Sequence, residues 1–247
     1  MPLRLLPGLT LFAPRMADTR EVGSWLVWHP SGIEAALGGD MALLGGELAN
    51  GVEWRTGLRA GSFMGFHPGD SLTFHLETFD GLFGVPLEVG WKGVELELTW
   101  SHVSAHFADG LRAQGERPPE DSEPYSLEWI ELGLGYGAEW FRPYAAVRST
   151  VHTVSGETGS ELRGGWTALG RGSLAPYHAF DVHGALQGDE IATVATQAGI
   201  RWSTRNGPSM RGGVTAHRGL DEAGKRAESR EQYVGVLLAW DVGWDQR

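Results

Sequence analysis

Apolar and polar side chains alternate along most of the chain, and residues 93–107 show this pattern most clearly. The apolar face of this stretch consists of Val94, Leu96, Leu98 and Trp100. The opposite face begins with Glu95, Glu97 and Thr99. A period of two predicts a β-strand with one apolar and one polar face. Beyond Trp100 the apolar parity continues into His102, Ser104 and His106, so this strand ends in polar residues whose role needs an explanation.

The same alternation predicts strands along the whole chain, whereas helical periodicity is nearly absent. Turn-forming sequences such as HPGD at 67–70 and RNGP at 205–208 separate many of these strands. The segment 34–48 is ambiguous, because its glycines fit a short helix, an interrupted strand or a plug-like insert. The predicted strands span 22–29, 52–62, 71–79, 82–91, 93–107, 125–138, 140–153, 161–171, 177–187, 191–204, 209–218 and 231–244.

Charged residues in the middle of strands indicate which kind of β-protein this is. In the strand 52–62, a row containing Glu53, Arg55 and Arg59 lies opposite Trp54 and Leu58. A membrane barrel needs an apolar, aromatic-flanked outer face, and it tolerates a polar interior. The predicted fold class is therefore all-β: a single antiparallel transmembrane β-barrel of about 12 strands with long polar loops. The alternative is a soluble, ligand-binding β-barrel whose apolar face points inward.

The domain organisation follows from where the strands begin. Residues 1–21 contain three interrupting prolines, so we expect an extended lead-in or a plug, and residues 22–247 form the predicted barrel. The ambiguous segment 34–48 is a second candidate plug. Uninterrupted apolar runs are too short for a transmembrane helix.

Composition excludes several classes of function. The formal net charge is −11 and basic residues are not clustered, which argues against a nucleic-acid partner. The chain has no Cys, so disulfides, thiol catalysis and cysteine zinc sites are excluded.

The polar end of the strand 93–107 is a candidate catalytic site. Side chains at positions i and i+2 lie on one face, about 6.5–7 Å apart, so His102 is placed to accept a proton from Ser104. A carboxylate that orients the imidazole would complete an acyl-transfer arrangement, and Glu123 or Glu128 is the candidate acid. The competing interpretation is a solvated strand end, where these residues contact water, lipid headgroups and loop backbone.

On the other strands, the residues of the polar face are predicted to line the barrel lumen. These rows contain both acidic and basic residues, and such a mixture favours a braced or plugged interior over an open pore. Metal binding is not predicted, because His102 and His106 lie about 13 Å apart on an extended strand. No cofactor is expected. The predicted lumen residues are Glu53, Arg55, Arg59, Glu95, Glu97, Glu131, Arg148 and Arg163.

Several motifs, taken in order, resemble a bacterial outer-membrane family known only as a domain of unknown function, family twelve-oh-seven. They include LFAPRMADTRE (11–21), YSLEWIELGLGYG (125–137) and ESREQYVGVLLAWDV (228–242). The resemblance implies an outer-membrane barrel of a Gram-negative bacterium, without an established activity. The motif positions here are His102, Ser104, His106, Asp109, Tyr125, Ser126, Glu128 and Tyr233.

A shorter stretch resembles the outer-membrane lipid A deacylases, which have a His-x-Ser on a barrel strand and a Glu just before Tyr-Ser. The matching residues are His102, Ser104 and Glu123, but Ala105 stands where those enzymes have Asn. We therefore expect a non-enzymatic outer-membrane barrel that is structural, anchors a partner, or handles small solutes or lipid. A Ser-His-Glu lipid hydrolase is the alternative. Expected partners are outer-membrane lipid, with lipopolysaccharide or a protein as further candidates.

Overall fold

The computed structural model describes residues 3–70, 73–110, 125–154, 158–186, 192–203, 209–221, 224 and 229–241. The described elements are thirteen strands and one 3-10 turn at Ala49–Gly51. No described helix is long and apolar enough to cross a membrane. The strands are β1 (Leu3–Gly8), β2 (Ser24–His29), β3 (Gly32–Glu47), β4 (Glu53–Pro68), β5 (Phe74–Trp91), β6 (Val94–Phe107), β7 (Tyr125–Tyr136), β8 (Phe141–Thr153), β9 (Ser160–Leu169), β10 (Leu174–Ala185), β11 (Thr193–Ser203), β12 (Ser209–Leu220) and β13 (Arg230–Asp241).

Strands β2 to β13 form a closed antiparallel barrel of twelve strands within the described residues. Each strand pairs with its sequence neighbour, and β13 closes the ring against β2. The predicted fold class is thereby confirmed. One prediction about individual strands is wrong, because residues 74–79 and 82–91 belong to the single strand β5. The ambiguous segment 34–48 is a strand, since residues 34–47 belong to the long strand β3. Residues 71 and 72 lie outside the described residues.

The barrel carries its apolar side chains on the outside and its charges inside. Along β7, Ile130, Leu132 and Leu134 are exposed, whereas Glu131 is only 3% exposed. Backbone alternation produces this division, because successive side chains point to opposite faces. The polarity is that of an outer-membrane-type barrel and is the reverse of the soluble alternative.

The two ends of the barrel differ. At one end, here called the short-turn end, the connections are short, as at 92–93 and 170–173. At the other, the long-loop end, they include 108–124 and 221–229. Exposed aromatic residues gather where strands reach the short-turn end. They are Trp91, Tyr136, Trp140, Trp202 and Trp240.

Strands β1 and β2 lie along the same edge of β3. β2 pairs with Gly32–Ala36, and β1 pairs with Ala42–Gly46. Between them, residues 9–23 leave the wall and enter the lumen. We call residues 9–23 the insert. Its buried apolar side chains are Leu11, Phe12, Met16 and Ala17.

Candidate functional site

The insert is held by charged pairs that cross the lumen. Arg15, which is 3% exposed, contacts the carboxylate of Glu131 on β7. Its other terminal nitrogen lies 3.4 Å from Oε1 of Glu97 on β6. The guanidinium therefore lies between two strand carboxylates and faces Phe12, whose ring centroid is 5.4 Å away.

Two further charged residues of the insert pair with the wall. Asp18 accepts hydrogen bonds from both terminal nitrogens of Arg163 on β9, at 2.8 and 3.1 Å. Arg20 contacts Asp80 on β5. Paired and hydrogen-bonded charges are the form in which ionised groups are tolerated away from water.

The backbone of the insert is bonded to the wall as well. The amide of Leu11 donates to Glu88 at 2.7 Å, and the amide of Ala13 donates to Glu95 at 3.1 Å. Arg55 donates to the carbonyl of Leu9. These contacts supply partners for a non-repetitive backbone that has no strand neighbour of its own.

The structure places every predicted lumen residue on the inner face of its strand. Arg59 joins Asp40 and Glu97, at 2.6 and 2.8 Å from its Nη2 atom. Arg148 donates to Glu131 at 2.9 Å. Sequence reasoning missed Asp40, because the segment 34–48 was ambiguous. The buried lumen residues are Arg55, Glu97, Glu131 and Arg163, and the half-buried ones are Glu53, Arg59, Glu95 and Arg148.

The insert does not fill the lumen evenly. A cavity of about 80 Å³ lies between the insert and the wall formed by β2, β3 and β11–β13. Arg211 on that wall is bonded to Asp241 and Gln197 and does not reach the insert by an ion pair. The insert is therefore fastened mainly to the β5–β9 side.

The polar end of β6 lies on the outer face, towards the long-loop end. His102, Ser104 and His106 continue the exposed row that contains Leu98 and Trp100. Phe83 on β5 packs edge-on against Trp100, with ring centroids 6.3 Å apart. These polar residues therefore begin where the apolar belt of the barrel ends.

The structure does not bring Ser104 and His102, the predicted nucleophile and base, together, and each has a different partner. Ser104 Oγ lies 3.1 Å from Nε2 of His106, and Nδ1 of His102 lies 3.3 Å from Oε1 of Glu128. Glu123 lies outside the described residues. Asp109 is exposed beyond the end of β6. The serine thus bonds to His106, whereas the candidate base His102 bonds to the alternative acid Glu128.

The surroundings of Ser104 limit how an oxyanion would be held. In register, Ser104 lies between Gly81 of β5 and Ser126 of β7, so β6 is paired along both edges at this point. Backbone amides in two ladders are not free to form an oxyanion hole. The hydroxyl of Ser126 lies on the same outer face, while Ala105 points inward with 0% exposure.

No family model and no curated protein matches the chain. Among solved structures, the chain is similar to the transport unit of the autotransporter AIDA-I from Escherichia coli. That similarity has a TM-score of 0.44 and 12% sequence identity, and it covers 92% of each chain. The assignment of the barrel rests on the strand ladders and not on this similarity.

Proposed function

We propose that this protein is a bacterial outer-membrane β-barrel closed by its own insert, with a structural or partner-anchoring function. The observation that carries the proposal is the pairing of Arg15 with Glu131 and Glu97 across the lumen. An open pore needs a continuous hydrated path, and this interior is crossed by a bonded polypeptide segment.

The exterior supports the membrane assignment. Exposed aliphatic side chains cover the middle of the strands, and exposed aromatic residues ring the short-turn end. In outer-membrane barrels the short turns face the periplasm and the longer loops face outward. The short-turn end is therefore assigned to the periplasm, and the His102–Ser104–His106 end to the outer leaflet.

Conductance in planar lipid bilayers tests the proposal. The parent barrel should show no sustained conductance. A variant in which residues 9–23 are replaced by a Gly-Ser linker should conduct, because its lumen would be lined by unpaired charges and filled with water. Retention of the compact, heat-modifiable form on gels serves as the folding control. A parent protein with porin-like conductance would contradict the proposal.

A second candidate function, a serine lipid hydrolase, is favoured by the 3.1 Å contact between Ser104 and His106. A hydroxyl that donates to an imidazole is poised to lose its proton to Nε2 while Oγ attacks an ester carbonyl. The imidazole would then pass that proton to the alcohol that leaves as the ester C–O bond breaks, and water would release the acyl group from Oγ by the same route. The outward position at the edge of the apolar belt suits phospholipid or lipopolysaccharide as substrate. His106 rather than His102 would then be the base.

Acyl release from phospholipid and from lipopolysaccharide tests this second function. The parent and a Ser149→Ala control, which alters another outer-face hydroxyl, should release fatty acid at equal rates, and Ser104→Ala should lose the activity. Equal release by all three proteins, or release by none, would reject the hydrolase.

A further inference from the structure

Three residues from three strands converge where the barrel closes. His29 ends β2, Glu34 lies near the start of β3, and Glu231 lies near the start of β13. One ligand atom from each lies within 4.8 Å of the other two. We propose that His29, Glu34 and Glu231 bind a divalent metal ion of the zinc class at the long-loop end. This proposal is independent of the proposed function.

The imidazole of His29 is the strongest part of the argument. The residue is 6% exposed, and its Nε2 atom has no hydrogen-bond partner within the described part of the chain. A buried polar atom without a partner is uncommon and needs an explanation. A metal ion on Nε2 would provide one.

The other ring nitrogen of His29 has a partner that suits this role. Nδ1 lies 3.1 Å from Oγ of Ser31 in the β2–β3 turn. If Nδ1–H donates to the hydroxyl, Nε2 presents a lone pair towards the carboxylates. Metal-bound histidines are commonly oriented by such a bond from the second nitrogen.

The distance between His29 and Glu34 also fits a bridging ion. Nε2 lies 3.8 Å from Oε1 of Glu34, which is beyond a hydrogen bond. Two ligands bound to zinc at about 2.1 Å, at the tetrahedral angle, lie about 3.4 Å apart. A shift of a few tenths of an ångström would bring both atoms into coordination.

Tyr233 orients two of the three proposed ligands, Glu34 and His29. Its hydroxyl donates to Oε2 of Glu34 at 3.0 Å, and its ring stacks on His29 with centroids 4.3 Å apart. The other neighbour of the ring is His217, at 5.2 Å. This arrangement fixes Glu34 and His29 with their remaining ligand atoms facing each other.

There is space beside the site for additional ligands. A cavity of about 50 Å³ is lined by Glu34, Glu231, Tyr233 and His217. That volume is large enough for a water molecule. Three protein ligands and water would complete a four-coordinate zinc ion.

The site would strengthen the seam of the barrel. β2 is paired with β13 only from Ser24 to Trp28 and with β3 only from Trp25 to His29, and both ladders are shorter than the others in the ring. A metal ion held by β2, β3 and β13 would connect the three strands at this point. Metal binding should therefore raise the thermal stability of the folded barrel.

The test uses the detergent-purified full chain, stripped with a chelator and then titrated with Zn²⁺ by calorimetry. Bound metal is measured by mass spectrometry after dialysis. The parent should bind one equivalent of Zn²⁺ and unfold at a higher temperature with it. His29→Gln and Glu231→Gln should bind at least tenfold more weakly. Glu128→Gln, which alters the other His–Glu pair, is the matched control and should bind like the parent.

Three outcomes would overturn the proposal. They are no zinc binding by the folded parent, undiminished binding in both variants, and binding of Ca²⁺ in preference to Zn²⁺. Heat-modifiable migration on gels shows whether each variant folds. If His29→Gln does not fold, Glu231→Gln decides the result, because its carboxamide keeps the size of the side chain.

Discussion

Nη1 of Arg163 lies 2.8 Å from Oδ2 of Asp18, and their side chains are only 1% and 2% exposed. One residue belongs to the wall strand β9 and the other to the insert. The second nitrogen of the guanidinium bonds to Oδ1 at 3.1 Å, so the pair is bidentate. The insert is thereby fixed in both position and orientation.

Removing one member of this pair should be costly. We expect Asp18→Ala to lower the free energy of unfolding by about 3–5 kcal/mol, because Arg163 would lose its bidentate partner while buried. Chemical unfolding in detergent micelles, followed by tryptophan fluorescence, measures the change.

The matched control for Asp18→Ala is Glu139→Ala. Glu139 pairs with Arg171 at 3.2 Å, but the two side chains are 74% and 78% exposed. Loss of this surface pair should cost only about 0–1 kcal/mol. Equal effects of the two substitutions would mean that Asp18 and Arg163 are not buried together.

An engineered disulfide should lock the insert to the wall. A Cβ atom built on Gly90 of β5 would lie 3.9 Å from Cβ of Leu11, within the usual range for a disulfide. The chain has no cysteine of its own. The variant Leu11→Cys/Gly90→Cys should therefore form one internal disulfide on oxidation, as measured by thiol labelling and mass spectrometry.

The control places the second cysteine on the outer face of the same strand. A Cβ at Gly81 has no neighbour within 4 Å. Leu11→Cys/Gly81→Cys should retain two free thiols under the same conditions. Disulfide formation in the control, or its absence in the first variant, would place the insert elsewhere.

A charge in the middle of the outer belt should be poorly tolerated in a bilayer. Leu132 is 56% exposed and lies between Leu98 and Val147 on the adjacent strands. Leu132→Lys should destabilise the folded barrel in lipid vesicles by about 2–4 kcal/mol, because lysine would lie near the bilayer midplane.

Leu174→Lys is the matched control. Leu174 is 69% exposed but lies at the short-turn end, paired with Trp202. Lysine near the interface should cost only about 0–1 kcal/mol. If both substitutions were equally mild in vesicles, the outer belt would not be a lipid-facing surface.

The alternation of side chains was sufficient to predict the barrel, but it divided one strand into two and left another ambiguous, in both cases for physical reasons. Asp80-Gly81 has the composition of a turn, yet Asp80 points into the lumen and binds Arg20, so β5 continues through it. In β3, glycines mask the alternation. Splitting β5 and omitting β3 left the expected number of strands unchanged.

The interior site was only half predictable. Charged residues of the wall such as Glu97 and Glu131 can be predicted from the alternation of polar and apolar side chains along a single strand. The insert has no such period, so nothing local marked Arg15 and Asp18 as their partners. The convergence of His29 and Glu34 with Glu231 depends on the closure of the ring, which pairs β2 with the distant strand β13.

The insert lies between β1 and β2 in the chain, and both of these strands are paired with β3. β2 is also the strand that completes the ring against β13. Residues 9–23 therefore occupy the lumen as a loop whose two ends are both held in the wall. The strand that seals the ring is thus continuous with the segment that fills it, so that a disturbance of either one is passed directly to the other.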